Sequence, residues 1–362
     1  MKVIYGVCSW GLGHATRSLP IMRKLVKEGN ELTVISSGRA LELLRKELSA
    51  GAERFIDCPD YPAPAASNPK LFIAEFMAKI PSDLRAVYRE FKLTQSLLGR
   101  EKYGMIISDN RYGIYNRFMP SFFISHQLRI INPMRVRMLE TGTEIYNQFF
   151  YQRYWGVLVP DFAEGSLSGE MSHGLRYLDE KAVSYIGPLS DFRRLDISQD
   201  IDCFVSITGP EPHRTLLEET LLSQLDSVKG KVVVTLGKSD ESKAGERGNA
   251  TIYSYLDAAK REELMNRSKV IVSRSGYSTV LDVAVMGKKA LFTPTPFQPE
   301  QEYLGQYHMA NGSYYSVPQA RINLANDIEE AAKRTGFTKP CDVSKSVENA
   351  MDVFHNSKGS PF

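Results

Sequence analysis

Cysteine is scarce and scattered in this chain. Its 362 residues include four, Cys8, Cys58, Cys203 and Cys341, with no CxxC pair among them. Such spacing suits neither a zinc site nor a disulfide framework and points to a reducing compartment. Long hydrophobic runs are missing too: none approaches the ~18 residues of a membrane-spanning helix. The opening Met1-Lys2-Val3-Ile4-Tyr5-Gly6 reads as a short strand and not as a secretory leader. The expected location is therefore cytoplasmic, either free or peripheral at the inner face of a membrane. An excess of one charge is lacking as well, the net value being +3. That small balance argues against a general nucleic-acid binder, so no nucleic acid is expected as partner. No internal repeat or low-complexity segment is visible.

What is present is ordinary globular material, 43% hydrophobic and 24% charged, in a length that suits two domains. A β–α rhythm runs through it. Val3–Cys8 and Glu31–Ser36 read as strands, and Leu19, Met22, Leu25 and Val26 repeat at helical spacing between them until Gly29. Arg39–Leu48 reads as a helix, and Asp57–Ser67, with Pro59, Pro62 and Pro64, as a loop. Lys70–Gln95 is helical with a break expected at Pro81, and Gly104–Ser108 and Phe122–Ser125 are buried strands. The pattern fades between Ile186 and Asp202, where a linker is expected. It resumes with strands at Cys203–Ile207, Val232–Leu236, Val270–Val272 and Ala290–Thr293, and with terminal helices over residues 326–355.

Two stretches carry chemistry. In the first, a strand leads into Ser9-Trp10-Gly11-Leu12-Gly13-His14-Ala15-Thr16-Arg17-Ser18. Gly11 and Gly13 let the backbone turn tightly. A dinucleotide fingerprint would need glycine at Thr16, and no Walker lysine follows. The loop holds a histidine instead, and His14 is either a general base or a solvated helix cap. In the second, Ser273-Arg274-Ser275-Gly276-Tyr277-Ser278-Thr279-Val280-Leu281-Asp282 runs on to Gly287 and then to Pro294-Thr295-Pro296-Phe297-Gln298. A helix beginning near Ser275–Ser278 would offer its N–H groups and positive dipole end to an anion. Asp282, one or two turns inward, would accept hydrogen bonds from a ribose. Asp109 and His126 follow predicted strand ends, where parallel sheets bind ligands, and are second-tier site candidates or structural residues. Asp200-Ile201-Asp202 is a DxD triplet, but it sits in the predicted linker and reads as solvated, so no metal is expected.

Together the two motifs resemble the GT-B glycosyltransferases, and most closely their family 28. The likeness is clear over about residues 1–35 and 231–305. It implies an α/β fold of two Rossmann-like β/α/β domains facing each other across a cleft. The expected division is 1–187 (acceptor side), 188–340 (nucleotide-sugar donor) and 341–362, a helix crossing back to the first domain. It also implies an inverting, metal-independent hexosyl transfer from a nucleotide sugar, a UDP-sugar in the nearest relatives, with no cofactor. His14 would be the base or a residue that positions the donor phosphates. Gly11, Gly13, Thr208, Gly209, Ser275, Gly276 and Tyr277 would hold the diphosphate and Asp282 the ribose. Gln298, Gln301 and Glu302 would meet the sugar, and Tyr253–Leu256 the base. Arg274 is either a phosphate ligand or a loop anchor. The acid on the donor helix is Asp282 where the family usually has Glu, and Thr208-Gly209-Pro210 stands in place of a Gly-Gly-Ser loop.

The acceptor is not identified by any matching loop, though relatives often use lipid-linked or hydrophobic ones. Arg129, Arg135, Arg137 and Arg153 lie among Phe149, Phe150, Tyr151, Tyr154 and Trp155. That face either rests on an anionic membrane or packs internally with snorkelling arginines. Two rivals share the architecture: a non-hydrolysing nucleotide-sugar epimerase and a non-enzymatic nucleotide-sugar sensor. A Rossmann dehydrogenase is more distant, because the fingerprint is broken.

Overall fold

The computed structural model describes residues 1–49, 51–61, 72–178, 182–238 and 244–356. The chain divides into two units, one comprising Met1–Asp191 with the segment from Asp342 on, the other Phe192–Cys341. The boundaries thus fall at Asp191/Phe192 and Cys341/Asp342, slightly beyond those expected from the fading pattern.

Unit 1 alternates β1 (Lys2–Val7), α1 (Gly13–Lys27), β2 (Glu31–Ser36), α2 (Gly38–Glu47), β3 (Ala52–Asp57), α3 (Phe72–Leu98), β4 (Met105–Asp109), β5 (Ser121–Ile124), α4 (Arg137–Tyr151), β6 (Gly156–Val159) and β7 (Val183–Tyr185). Its seven strands run in the order β3-β2-β1-β4-β5-β6-β7, and every pairing is parallel. The chain fills one half of the sheet outward from β1 and then returns to lay β4 against β1. That reversal opens a crevice at the carboxyl ends of β1 and β4, where ligands of such sheets bind. The inner strands β1, β2, β4, β5 and β6 are buried, largely apolar runs because both faces are covered, whereas the edge strand β3 has no buried residue. Leu19, Met22 and Leu25 of α1 join one core with β1 and β2, and Val347, Ala350, Met351 and Phe354 of α10 (Val343–Asn356), which packs beside α1, belong to the same core. Phe354 packs at a tilt on Phe122 of β5, 4.9 Å between ring centres, and Asn349 donates to the Ile186 carbonyl at 3.1 Å.

Unit 2 repeats the plan with β8 (Ile201–Ser206), α5 (His213–Gln224), β9 (Val232–Thr235), β10 (Ala244–Arg247), β11 (Ala250–Tyr253), α6 (Ala258–Arg267), β12 (Ser268–Ser273), α7 (Tyr277–Val285), β13 (Lys289–Phe292), α8 (Pro299–Ala310), β14 (Tyr315–Ser316) and α9 (Leu324–Ala332). The order is β10-β11-β9-β8-β12-β13-β14, with only the β10–β11 hairpin antiparallel. Here the reversal lies between β8 and β12, so the Thr208 and Ser275 turns both leave the sheet at that point.

Three expectations need correction. Pro81 does not break its helix: α3 continues through it to Leu98. An interior proline costs about 3 kcal/mol, which the burial of Ala86, Val87 and Leu97 farther along helps to offset. Ser82 also donates to the Lys79 carbonyl at 2.7 Å within that turn. Asp202 lies inside β8 and not in a linker. Of the predicted 57–67 loop, Asp57 ends β3, and residues 62–67 lie outside the described residues.

If α10 is integral to unit 1, Phe354→Ala should destabilise it by about 3 kcal/mol, the usual cost of a truncated core aromatic. Urea unfolding of wild type and variant measures this, and an unchanged midpoint would show that the helix is dispensable.

Candidate active and nucleotide sites

In unit 1 the site is assembled by strand register. Val7 pairs with Asp109 across the parallel β1–β4 ladder, so the carboxylate at the end of β4 lies beside the turn leaving β1. Gly11 makes that turn possible at φ +83, a backbone conformation that side-chain-bearing residues rarely adopt. Helix α1 then starts at Gly13. His14 and Arg17, three apart on its first turn, share one face. Beyond β5 the chain brings His126 to the same edge.

Asp109 is fully buried and accepts from four donors. His14 Nδ1 lies 2.7 Å from Oδ1. Arg17 Nε donates to Oδ2 at 2.8 Å, Arg17 Nη2 to Oδ1, and the Ser18 hydroxyl to Oδ2 at 3.0 Å. Arg17 Nη2 is also 2.9 Å from His14 Nδ1, yet a guanidinium only donates and a carboxylate only accepts. The consistent assignment puts the His14 proton on Nδ1, shared with Asp109, and leaves a lone pair on Nε2. Arg17 Nη1 meets His126 Nδ1 at 2.8 Å, so His126 accepts there and carries its proton on Nε2. The two imidazoles, 6.3 Å apart between ring centres, therefore hold opposite tautomers. Burial would raise the Asp109 pKa, but Arg17 and then His14 outweigh it and hold the carboxyl well below the usual range. The His14 side chain is 13% exposed against 0% for Asp109, so the histidine is the more accessible member of the pair.

A second buried cluster fixes the turn itself. Arg111 pairs with Glu90 at 2.9 Å and with Asp60 at 2.6 Å. Asp60 in turn accepts the Ser9 hydroxyl at 2.7 Å, and Trp10 Nε1 donates to the Tyr61 carbonyl at 2.9 Å.

In unit 2 the sequence-predicted residues gather around α7. Gly276 is its N-cap, and Ser275 is buried with its hydroxyl on the Gln301 carbonyl at 2.7 Å. The Tyr277 N–H points to a Glu300 carboxylate oxygen at 3.4 Å, so the helix N-terminus already faces a negative group. Gln301 Oε1 accepts the Thr295 N–H at 2.9 Å, and its Nε2 lies 3.9 Å from where a Gly276 side chain would begin. Gln298 caps α8 by accepting the Gln301 N–H at 2.8 Å, and Glu302 accepts the Phe297 N–H at 2.9 Å. These two therefore shape the loop in this structure. Asp282 stands on α7 within electrostatic reach of Arg261.

Arg274 resolves in favour of loop anchoring. Nε donates to the Thr208 carbonyl at 3.3 Å, Nη1 to those of Thr293 and Pro294 at 3.1 and 3.0 Å, and Nη2 to the His213 carbonyl and Gln319 Oε1, both at 2.8 Å. All five guanidinium N–H groups are thus taken, and none is left for a phosphate. Burial without an acidic partner lowers its pKa to about 10. The cage it forms pulls the Thr208–Gly209 turn against Pro294 and Thr295. Gly209, at φ +120, has Arg274 Nε 3.4 Å and Thr295 Oγ1 3.6 Å from the position of an added Cβ. The Thr295 hydroxyl is buried and has no hydrogen-bond partner among the described residues, which makes it a ligand candidate the sequence reading missed. Arg17 was missed as well, although the His-x-x-Arg spacing was its signal. Asp200 binds Arg267 and Lys231, and Asp202 binds Lys269, so both acids of the DxD triplet are already neutralised.

Because the folded-state pKa of Asp109 is depressed, its contribution to stability is complete above the unfolded value of ~3.9 and is lost as pH falls below it. Melting temperatures between pH 6 and 2.5 should fall more gently in Asp109→Asn than in wild type. Parallel curves would show that the carboxylate contributes nothing specific.

Comparison with known proteins bears on the two domains and the fold. Residues 1–55 match the family model "Glycosyl transferase family 1" and residues 213–350 match "Glycosyltransferase family 28 C-terminal domain". A UDP-N-acetylglucosamine--N-acetylmuramyl-(pentapeptide) pyrophosphoryl-undecaprenol N-acetylglucosamine transferase of Sulfurihydrogenibium sp. (strain YO3AOP1) is 28% identical over 127 residues. That match takes in 35% of this chain and spans only a third (33%) of the relative. Among solved structures, the glycotransferase of kitacinnamycin superposes with a TM-score of 0.65 at 15% identity, over 99% of this chain and 96% of the other. A putative UDP-N-acetylglucosamine 2-epimerase from Listeria monocytogenes does so with 0.60 at 12% identity, over 100% and 99%. Two parallel-rich α/β units, each with its strand reversal, and a family 28 C-terminal domain in the second make this chain a family-28-like member of the GT-B fold.

Proposed function

We propose that the chain is an inverting glycosyltransferase that moves a sugar from a nucleotide sugar, a UDP-sugar by preference, to an acceptor hydroxyl. The observation that carries this is His14, hydrogen-bonded through Nδ1 to a buried, ionised Asp109. The carboxylate fixes the tautomer and stabilises the imidazolium that forms, and Nε2 is left as general base. In the transfer the acceptor oxygen attacks the anomeric carbon as the bond from that carbon to the diphosphate oxygen breaks. The acceptor proton passes to His14 Nε2, and the nucleoside diphosphate departs with the bonding electron pair. Direct displacement of this kind inverts the anomeric centre. The departing charge would be met by the N–H groups of Gly276 and Tyr277 at the start of α7, by the Thr208–Gly209 turn and by the Thr295 hydroxyl. Those donors suffice for the role without a metal, and Asp282 would hold the ribose hydroxyls. The family 28 match over residues 213–350 supports the donor assignment.

The expected outcome is saturable binding of UDP or a UDP-sugar, with chelator present, that Asp282→Ala abolishes. His14→Ala should keep that affinity and lose turnover by about 10²–10⁴-fold. Binding with no turnover on any acceptor in wild type would favour a sensor. Conversion of the nucleotide sugar without added acceptor would favour the epimerase reading.

The acceptor is proposed to be lipid-linked or hydrophobic and met at a membrane surface. Much of the basic-aromatic stretch packs inward: Arg129 pairs with Glu144 at 2.9 Å, Phe150, Tyr151 and Tyr154 are buried, and Arg153 lies 4.5 Å over Phe149. Met134, Met138, Ile145 and Phe149 nonetheless remain exposed beside Arg135 and Arg137, a composition that suits an anionic bilayer. No helix among the described residues is long and apolar enough to cross a membrane. Wild type should co-sediment with phosphatidylglycerol vesicles and not with phosphatidylcholine ones, and Met138→Glu/Phe149→Glu should stay in the supernatant. Equal sedimentation of wild type and variant would place the contact elsewhere.

A further inference from the structure

Arg261 has no assigned role, and its surroundings are unusual for a cation. It sits on the first turn of α6, directly after the Tyr253–Leu256 segment. Its Nε is buried and without a hydrogen-bond partner among the described residues. The guanidinium makes one long contact, Nη2 to the Ser206 hydroxyl at 3.5 Å, and rests over the Phe192 ring at 5.6 Å. No carboxylate forms an ion pair with it among the described residues; Asp282 and the Tyr255 hydroxyl act on it only through space. Burial accordingly lowers its pKa. Leaving a buried charged donor unsatisfied costs stability. Arg274, in the same unit, shows the alternative, with every N–H engaged.

Position says what would engage Arg261. Ser206 ends β8, so the side chain lies at the edge of the sheet where the strand order reverses. Along α7 the diphosphate would sit at Gly276–Tyr277 and the ribose at Asp282, five residues or about 7 Å farther along the axis. Continuing in that direction, past the ribose, a nucleotide's base would reach α6 and Tyr255, a residue 41% exposed. A guanidinium only donates, so the edge presented to it must carry acceptors. Uracil, thymine and guanine present ring carbonyl oxygens; adenine has ring-nitrogen acceptors but no carbonyl, and carries an exocyclic amine where guanine has its carbonyl.

We infer that Arg261 is a specificity-determining residue that reads a ring carbonyl of the donor's base, so that the site takes uracil-, thymine- or guanine-type nucleotides and rejects adenine. This rests on the donor-site reading given above. It differs from that reading in assigning base choice to a side chain rather than to the backbone of 253–256 alone.

The test is calorimetric titration of wild type, Arg261→Met and Arg261→Lys with UDP, GDP and ADP. Wild type should bind UDP or GDP about ten-fold or more tighter than ADP, the step one well-placed hydrogen bond supplies. Arg261→Met should lose that margin while ADP affinity stays within about three-fold. Arg261→Lys, which keeps the charge and a donor, should recover part of it, and thermal melts confirm that both variants fold. Equal weakening of all three nucleotides, or unchanged preference in Arg261→Met, overturns the inference and leaves the donor site standing. Failure of wild type to bind any of the three overturns the donor-site reading and this inference with it.

Discussion

The buried pairing of Asp109 with Arg17 is the constraint on which the first unit's site depends. A carboxylate with no exposure survives there only because a guanidinium, an imidazole and a hydroxyl converge on it. Removing one partner of such a pair typically costs 3–5 kcal/mol, because the other is left charged and dry. The same pairing orders the chemistry. Asp109 settles which nitrogen of His14 carries the proton, and Arg17 settles it for His126. The Asp109–Arg17 pair thus holds two histidines in opposite tautomers, His14 through the carboxylate and His126 through the guanidinium.

The second unit solves a similar problem with backbone instead of charge. Arg274 ties four carbonyls and one amide oxygen together, bringing the turns after β8 and β13 onto the start of α7. Around that anchor the donor-binding candidates are small or already half-engaged: Gly209, Gly276, Ser275, Thr295 and the Gln301 amide. Glu300 at the Tyr277 N–H shows that the helix N-terminus attracts an anion even from within its own chain. Rigid anchoring and an adaptable lining are complementary, since a phosphate cradle needs fixed N–H directions and room for the ligand.

Much was legible beforehand because it is local. The glycines of the first turn, the helical spacing behind them and the strand–turn–helix of the Ser273–Asp282 run follow from side-chain periodicity and turn chemistry alone. The errors were of another kind. Pro81 looked like a helix break because the local cost of proline was weighed without the packing that outweighs it. Asp202 looked like a linker residue although it lies in β8, and the pairing of both acids with Arg267, Lys231 and Lys269 was hidden because those partners are distant in sequence. Arg274 stayed ambiguous because five of its acceptors lie between 19 and 66 positions away.

The amino-acid order by itself determined the α/β rhythm, the two-unit plan, the turn that carries His14 and the helix that carries Asp282, since each depends on neighbours a few residues apart. Tertiary structure alone decided which groups act together. Pairing Val7 with Asp109 across β1 and β4 joined His14 to a carboxylate 95 positions away. The fold likewise turned Arg274 into a scaffold and left the Arg261 Nε buried with no hydrogen-bond partner among the described residues. Register and burial set the charge state and hydrogen-bonding freedom of a side chain, and both arise from contacts that local sequence does not encode.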